Sequence, residues 1–128
     1  MNQKVLTVKE LLEKKKLIDK QQDENFYSEV FGGEIEVSTK INKNDLLEQF
    51  LDESKGEYER YKEIIYMVCP IFKTEEIRAP YKDELDVPTD IIDKIFSDNI
   101  QEVLKLGNFI LKRFGFLKES DLEKVKKQ

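Results

Sequence analysis

The chain has 128 residues, of which 39% are hydrophobic and 38% are charged. A chain of this length is usually one domain, and its apolar share is below that of an average globular protein. Histidine is absent and cysteine occurs once, so the commonest general base is missing and no intramolecular disulfide can form. These absences argue against an enzyme and against a zinc site built from thiolates.

The net charge of −5 is distributed unevenly along the chain. From Lys105 onward there are seven basic and three acidic residues, whereas the first 104 residues hold 15 basic against 24 acidic ones. An acidic body repels phosphate groups, so we expect no nucleic acid partner. The basic end is either a solvated helix face or a contact for an acidic partner.

The amino end does not resemble a signal peptide, because Glu10 and Glu13 interrupt any apolar run. No segment approaches the roughly 18 apolar residues that a membrane span needs. We therefore predict a cytoplasmic protein with no membrane partner.

Residues 1–22 are predicted to contain an N-terminal helix running from about Thr7 to Gln21. Thr7 and Glu10 form a capping box, in which each side chain satisfies a backbone amide of the first turn. Leu17 falls on the opposite, charged face. The apolar face carries Val8, Leu11, Leu12 and Ile18, with the stem of Lys15 between them.

Residues 26–39 are predicted to form a β-hairpin. Two alternating runs rich in aromatic and β-branched residues flank Gly32 and Gly33, which can both adopt positive φ in a two-residue turn. A lone hairpin is marginal in water, so this one must pack against helices or lend its edge to another chain.

Residues 44–114 are predicted to form a helical body. A helix capped by Asn42 or Asn44 comes first, and a second runs from about Glu57 to Cys69, whose thiol we expect to be buried. Thr74, Thr89 and Ser97 are the predicted starts of later helices. Gly107 lies on the apolar stripe of the last long helix, which indicates close approach of another helix, and Gly115 ends that helix.

Two segments of the chain are less regular. Residues 70–88 contain the acidic cluster Asp83, Glu84 and Asp86, which lacks the glycine of a calcium loop, so no metal or other cofactor is expected. Residues 119–128 begin with a capping box and are predicted to form a C-terminal helix or tail. The overall prediction is one mainly α domain spanning residues 1–128, a compact bundle of five or six short helices with one small hairpin.

Several apolar side chains lie off the main stripes of their helices. Leu17, Tyr66 and Phe109 do so, and Phe116 follows the glycine that ends the long helix. Either these helices are buried on two sides, or the side chains gather into a protein-binding patch.

The order of features resembles the XkdN-like tail assembly chaperones of phages and phage-derived contractile particles. A lysine-rich helix, an aromatic hairpin, a tyrosine-rich helix ending at Val68-Cys69-Pro70 and a final long helix follow one another along nearly the whole chain. The most specific part of the resemblance is the run from Pro88 to Phe96, Pro-Thr-Asp-Ile-Ile-Asp-Lys-Ile-Phe.

This resemblance implies a non-enzymatic protein that holds the apolar tape measure protein in solution until the tail tube forms around it. The tail tube protein is then a second expected partner, self-association a further one, and the chaperone is absent from the mature tail. Grooves lined by Phe50, Tyr66 and Phe109 would take a client helix. Lys126 and Lys127 would permit a slippery site for a longer, frameshifted form.

A small adaptor or inhibitor domain that binds one defined protein partner is the alternative interpretation. Stoichiometry separates the two classes, because a coat protein binds its client in many copies and an adaptor binds in one or two.

Overall fold

The computed structural model describes residues 5–21 and 24–116, which form six α-helices and one antiparallel hairpin. The mainly α fold with one small hairpin is therefore confirmed, whereas the C-terminal segment predicted at residues 119–128 lies outside the described residues. Two 3-10 helices, Pro70–Lys73 and Ala79–Glu84, flank the fourth α-helix. The elements are α1 (Val8–Gln21), β1 (Phe26–Ser28), β2 (Gly33–Ile35), α2 (Lys43–Leu51), α3 (Glu57–Val68), α4 (Glu75–Arg78), α5 (Asp90–Ile95) and α6 (Ile100–Arg113).

The core lies where α3 packs against α6. On α3, Tyr61, Ile65 and Val68 are buried and Tyr58 is half-buried. The close approach predicted at Gly107 is confirmed, because the ring of Tyr61 packs directly over it. The hairpin, α2, the first 3-10 helix and α5 with the residue after it complete the same cluster through Phe26, Leu46, Phe72, Ile91, Ile92 and Phe96.

The hairpin exists, but its predicted two-glycine turn is wrong. Ser28 pairs with Gly33, so Gly33 belongs to β2 and the loop comprises the four residues from Glu29 to Gly32. Only Gly32 of the pair has a positive φ, at 68°. The Ser28 hydroxyl accepts a hydrogen bond from the Phe31 amide, and this side-chain contact favours the longer loop.

The hairpin is joined to α6 by buried polar contacts. Ser28 Oγ donates to Glu102 Oε1 at 3.0 Å, and both side chains are buried. After β2, the carbonyl of Val37 accepts a hydrogen bond from the guanidinium of Arg113 at 3.0 Å. These contacts hold the inner face of the hairpin, which carries Phe26, against the helical core.

Two of the predicted helix starts are confirmed in detail. Thr7 and Glu10 form the capping box, with hydrogen bonds of 3.2 and 3.3 Å. Asn42, rather than Asn44, caps α2 by accepting from the Asn44 amide at 2.8 Å.

The helix starts predicted at Thr74 and Thr89 are confirmed, because these residues directly precede α4 and α5. Neither hydroxyl, however, accepts a hydrogen bond from a helix amide. The Thr74 hydroxyl instead donates backward to the carbonyl of Ile71. Before α5, the carboxylate of Asp90 accepts from the amides of Asp86 and Val87.

The predicted start of α6 at Ser97 is wrong. Ser97 and Asp98 take left-handed backbone with φ of 50° and 58°, so the chain turns sharply after the buried Phe96. Asn99 then caps the helix by accepting from the Glu102 amide at 3.1 Å. The predicted end is confirmed, because Gly115 follows α6 with a φ of 85°.

Candidate protein-binding surfaces

The acidic cluster and the single cysteine are the groups to which the sequence drew attention for metal or thiol chemistry. No group of three or more His, Cys, Asp or Glu residues within 5–21 and 24–116 is arranged to hold a metal ion. Asp83, Glu84 and Asp86 are exposed, and Glu84 forms an ion pair with Lys94. Cys69 is fully buried, and burial raises the pKa of its thiol to about 12, so the reactive thiolate is strongly disfavoured.

The structure brings two of the five predicted partner-binding residues together. Phe50 at the end of α2 and Phe116 after α6 pack with ring centroids 5.6 Å apart. Phe109 packs edge-on against Phe26 at 5.5 Å. Phe50, Phe109 and Phe116 are half-buried against the core, so each of them also supports the fold.

Tyr66 and Leu17 lie in other surroundings. The Tyr66 hydroxyl accepts a hydrogen bond from Arg78 at 3.2 Å, and Lys73 approaches the ring at 5.3 Å. Leu17 is exposed on α1, on the charged side of that helix. The contacts of Phe50, Tyr66 and Phe109 therefore give these three side chains three different sets of neighbours rather than one shared groove wall.

An apolar surface, the α2 patch, surrounds the Phe50–Phe116 pair. Leu47 and Leu51 lie one turn apart on α2 and are 38% and 60% exposed, with Phe50 between them. We define the α2 patch as Leu47, Phe50, Leu51 and Phe116. Its aromatic pair is half-buried and its two leucines are exposed, so together they offer an apolar surface to the apolar face of a partner helix.

A second apolar surface, the α1 stripe, consists of Val8, Leu11, Leu12 and Ile18. These four side chains are between 53% and 74% exposed, although they follow helical spacing on one face. Burying one such side chain fully stabilises a complex by about 1.5–3 kcal/mol. An isolated helix of this length is marginal in water, so a covering surface would also stabilise the helix itself.

The outer face of the hairpin is the third surface. Tyr27 and Glu34 are cross-strand partners that both point to solvent. In the loop Val30 is exposed, and Phe31 is half exposed because its ring packs edge-on against the buried Phe96. Residues 24–39 contain four glutamates and no lysine or arginine. We define the hairpin face as Tyr27, Val30, Phe31, Glu29, Glu34 and Glu36, all of which are exposed.

Sequence reasoning identified the helix that carries the α1 stripe, but selected only Leu17 on its opposite face as a binding residue. The missed signal was the narrowness of the α1 stripe. It consists of four apolar residues and the stem of one lysine, and the helix as a whole has a low mean hydropathy. Leu47 and Leu51 were missed because they share the apolar face of α2 with the core residue Leu46, and nothing local distinguishes them from it.

No helix within residues 5–21 and 24–116 has the length and apolar character that crossing a membrane requires. Comparison of the chain with protein-family models, with curated proteins and with solved structures found no match.

Proposed function

We propose that the chain is a non-enzymatic tail assembly chaperone that binds the tape measure protein and keeps it in solution during assembly of a phage or phage-like tail. The observation that carries this proposal is the α2 patch, in which the exposed Leu47 and Leu51 adjoin the half-buried Phe50 and Phe116. Exposed apolar side chains grouped on an otherwise charged surface favour protein binding.

The α2 patch suits one helix of an extended apolar client. Leu47 and Leu51 form a ridge one helical turn long, and the tilted ring pair of Phe50 and Phe116 lies beside it. Glu48, Asp52 and Glu53 lie near this ridge, where Lys55 forms an ion pair with Asp52 at 3.9 Å and Arg60 donates to the Phe50 carbonyl at 3.0 Å. The net charge of −5 on the whole molecule would hold neighbouring coated chains apart.

Co-expression with the tape measure protein, followed by size-exclusion chromatography with light scattering, tests this function. We expect a soluble complex with many copies of this chain per client. The variant Leu47→Ser/Leu51→Ser should leave the client insoluble, because the ridge is lost while the buried Leu46 is kept. The matched control Ile71→Ser/Val87→Ser removes two similarly exposed apolar side chains elsewhere and should retain the complex.

Two outcomes would overturn the proposal. If the client stays insoluble and the chain elutes alone, the chain does not act as its chaperone. If the complex contains only one or two copies, the alternative function of an adaptor or inhibitor is supported instead.

The proposed function places the chain in the cytoplasm of the bacterial host and leaves it out of the finished tail. Mass spectrometry of purified tails should therefore detect the tail tube and tape measure proteins without this chain.

A further inference from the structure

Helix α1 is basic, whereas the rest of the described chain is acidic. Within residues 8–21 there are five lysines against three acidic residues, a charge of +2, whereas residues 24–116 hold 12 basic against 20 acidic residues, a charge of −8. Lys14 and Lys16 flank the α1 stripe on its two sides, because at about 100° per residue Lys14 falls beside Ile18 at one edge and Lys16 beside Leu12 at the other.

The hairpin face has the opposite charge and the same kind of apolar contact. Tyr27 and the loop residues Val30 and Phe31 provide exposed apolar area, and Glu29 and Glu34 lie beside them. The α1 stripe, flanked by lysines, is thus complementary to the hairpin face, whose apolar residues are flanked by glutamates. Both surfaces are present in every copy of the chain.

Within one copy these two surfaces do not cover each other. The apolar side chains of α1 and those of the hairpin face are all at least half exposed. Only residues 22–25 connect α1 to β1, so the two complementary surfaces lie close together in sequence but do not meet.

We propose that α1 of one copy docks on the hairpin face of a second copy through the α1 stripe, with Lys14 and Lys16 opposite Glu29 and Glu34. The contact joins unlike surfaces, so it generates either a closed dimer by reciprocal exchange or an open row of copies. An open row would place successive copies along an extended client, although the self-association itself requires no client.

Exchanging the charges of the two surfaces provides the sharpest test. The purified full chain and its variants are compared by sedimentation velocity. The wild-type chain should self-associate, and added salt should weaken the association. Lys14→Glu/Lys16→Glu and Glu29→Lys/Glu34→Lys should each be monomeric alone, because like charges then face each other. Mixing the two variants should restore a complex, since the acidic α1 of one faces the basic hairpin of the other.

The apolar part of the contact has its own matched pair of variants. Leu11→Ser/Ile18→Ser should raise the dissociation constant about hundredfold, since it removes two apolar side chains from the α1 stripe. Leu17→Ser alters the opposite face of the same helix and should leave the constant unchanged. Neither change touches the core, so thermal unfolding of the body should be the same in both variants.

A wild-type chain that remains monomeric at high concentration would overturn the proposal, as would a mixture of the two charge variants that fails to associate. Loss of self-association with retained client binding would leave the chaperone function standing, so the two proposals fail separately. The helix content measured by circular dichroism should also increase with protein concentration, because docking on a second copy stabilises α1.

Discussion

The ring of Tyr61 lies so close to Gly107 that a Cβ atom built on the glycine would be 2.5 Å from Cδ2 of the ring. The ring cannot easily move, because Tyr61 is buried and its hydroxyl donates to Asn108 Oδ1 at 2.7 Å. The separation of α3 and α6 at this point therefore depends on the missing side chain.

Gly107→Ala should destabilise the protein for this reason. Overpacking a core costs about 1–3 kcal/mol, while replacing a helical glycine recovers up to about 1 kcal/mol, so we expect a net loss of about 1–2 kcal/mol. Urea unfolding followed by circular dichroism measures the difference. Gly33→Ala is the control, because no heavy atom lies within 4 Å of its added Cβ. Equal stability of Gly107→Ala and wild type would contradict the argument.

Ser28→Ala should loosen the hairpin. The Ser28 hydroxyl donates to Glu102 at 3.0 Å and accepts from the Phe31 amide at 3.2 Å. Its removal deprives a buried carboxylate of a donor and the loop of its side-chain contact, which should cost about 1–3 kcal/mol. Chemical denaturation gives the total loss, and hydrogen exchange should show faster exchange at the Phe31 amide.

Ser38→Ala is the matched control for this change. The Ser38 hydroxyl accepts only an exposed hydrogen bond, from the Lys40 amide, so its removal should have little effect. If both serine variants lost the same stability, the buried contact with Glu102 would not be the cause.

The sequence predicted those elements whose signals are local. Helical spacing located α3 and α6, and the capping box located the start of α1. The predicted start of α6 at Ser97 failed because Ser97 and Asp98 take left-handed backbone, which favours glycine or asparagine and leaves no periodic signal. The hairpin loop was misassigned because the Ser28–Glu102 contact joins residues 74 positions apart, which no local pattern reveals.

The binding surfaces were harder to predict than the fold, because periodicity shows that a helix has an apolar face but not whether anything covers it. The stripes of α1 and α6 both follow helical spacing, yet Val103 of α6 is fully buried while Leu11 of α1 is exposed. The sequence predicted Phe50 and Phe116 as partner-binding residues. It did not reveal their contact, because that contact depends on the ends of α2 and α6 meeting in space.

Alkaline pH should destabilise the contact between α3 and α5. Asp93 accepts from the Tyr58 hydroxyl at 2.5 Å and from Lys62 Nζ at 2.9 Å. Burial and the bond to Asp93 raise the pKa of Tyr58 above its usual 10.0. Desolvation alone would lower the pKa of Lys62, but its hydrogen bonds to Asp93 and Glu59 outweigh this and raise the pKa above 10.5.

Both shifts have the same consequence for stability. Below pH 10.0 each group is protonated in the folded and the unfolded chain, and its contribution is fully present. Above that pH the unfolded chain loses these protons first, so the free energy of unfolding falls as pH rises toward the folded-state pKa values. Urea unfolding from neutral pH to above 10.5 should therefore show a declining stability whose slope is reduced in Tyr58→Phe. Tyr27→Phe, at an exposed tyrosine, should keep the wild-type slope, and an unchanged slope in Tyr58→Phe would show that Tyr58 does not contribute to this decline.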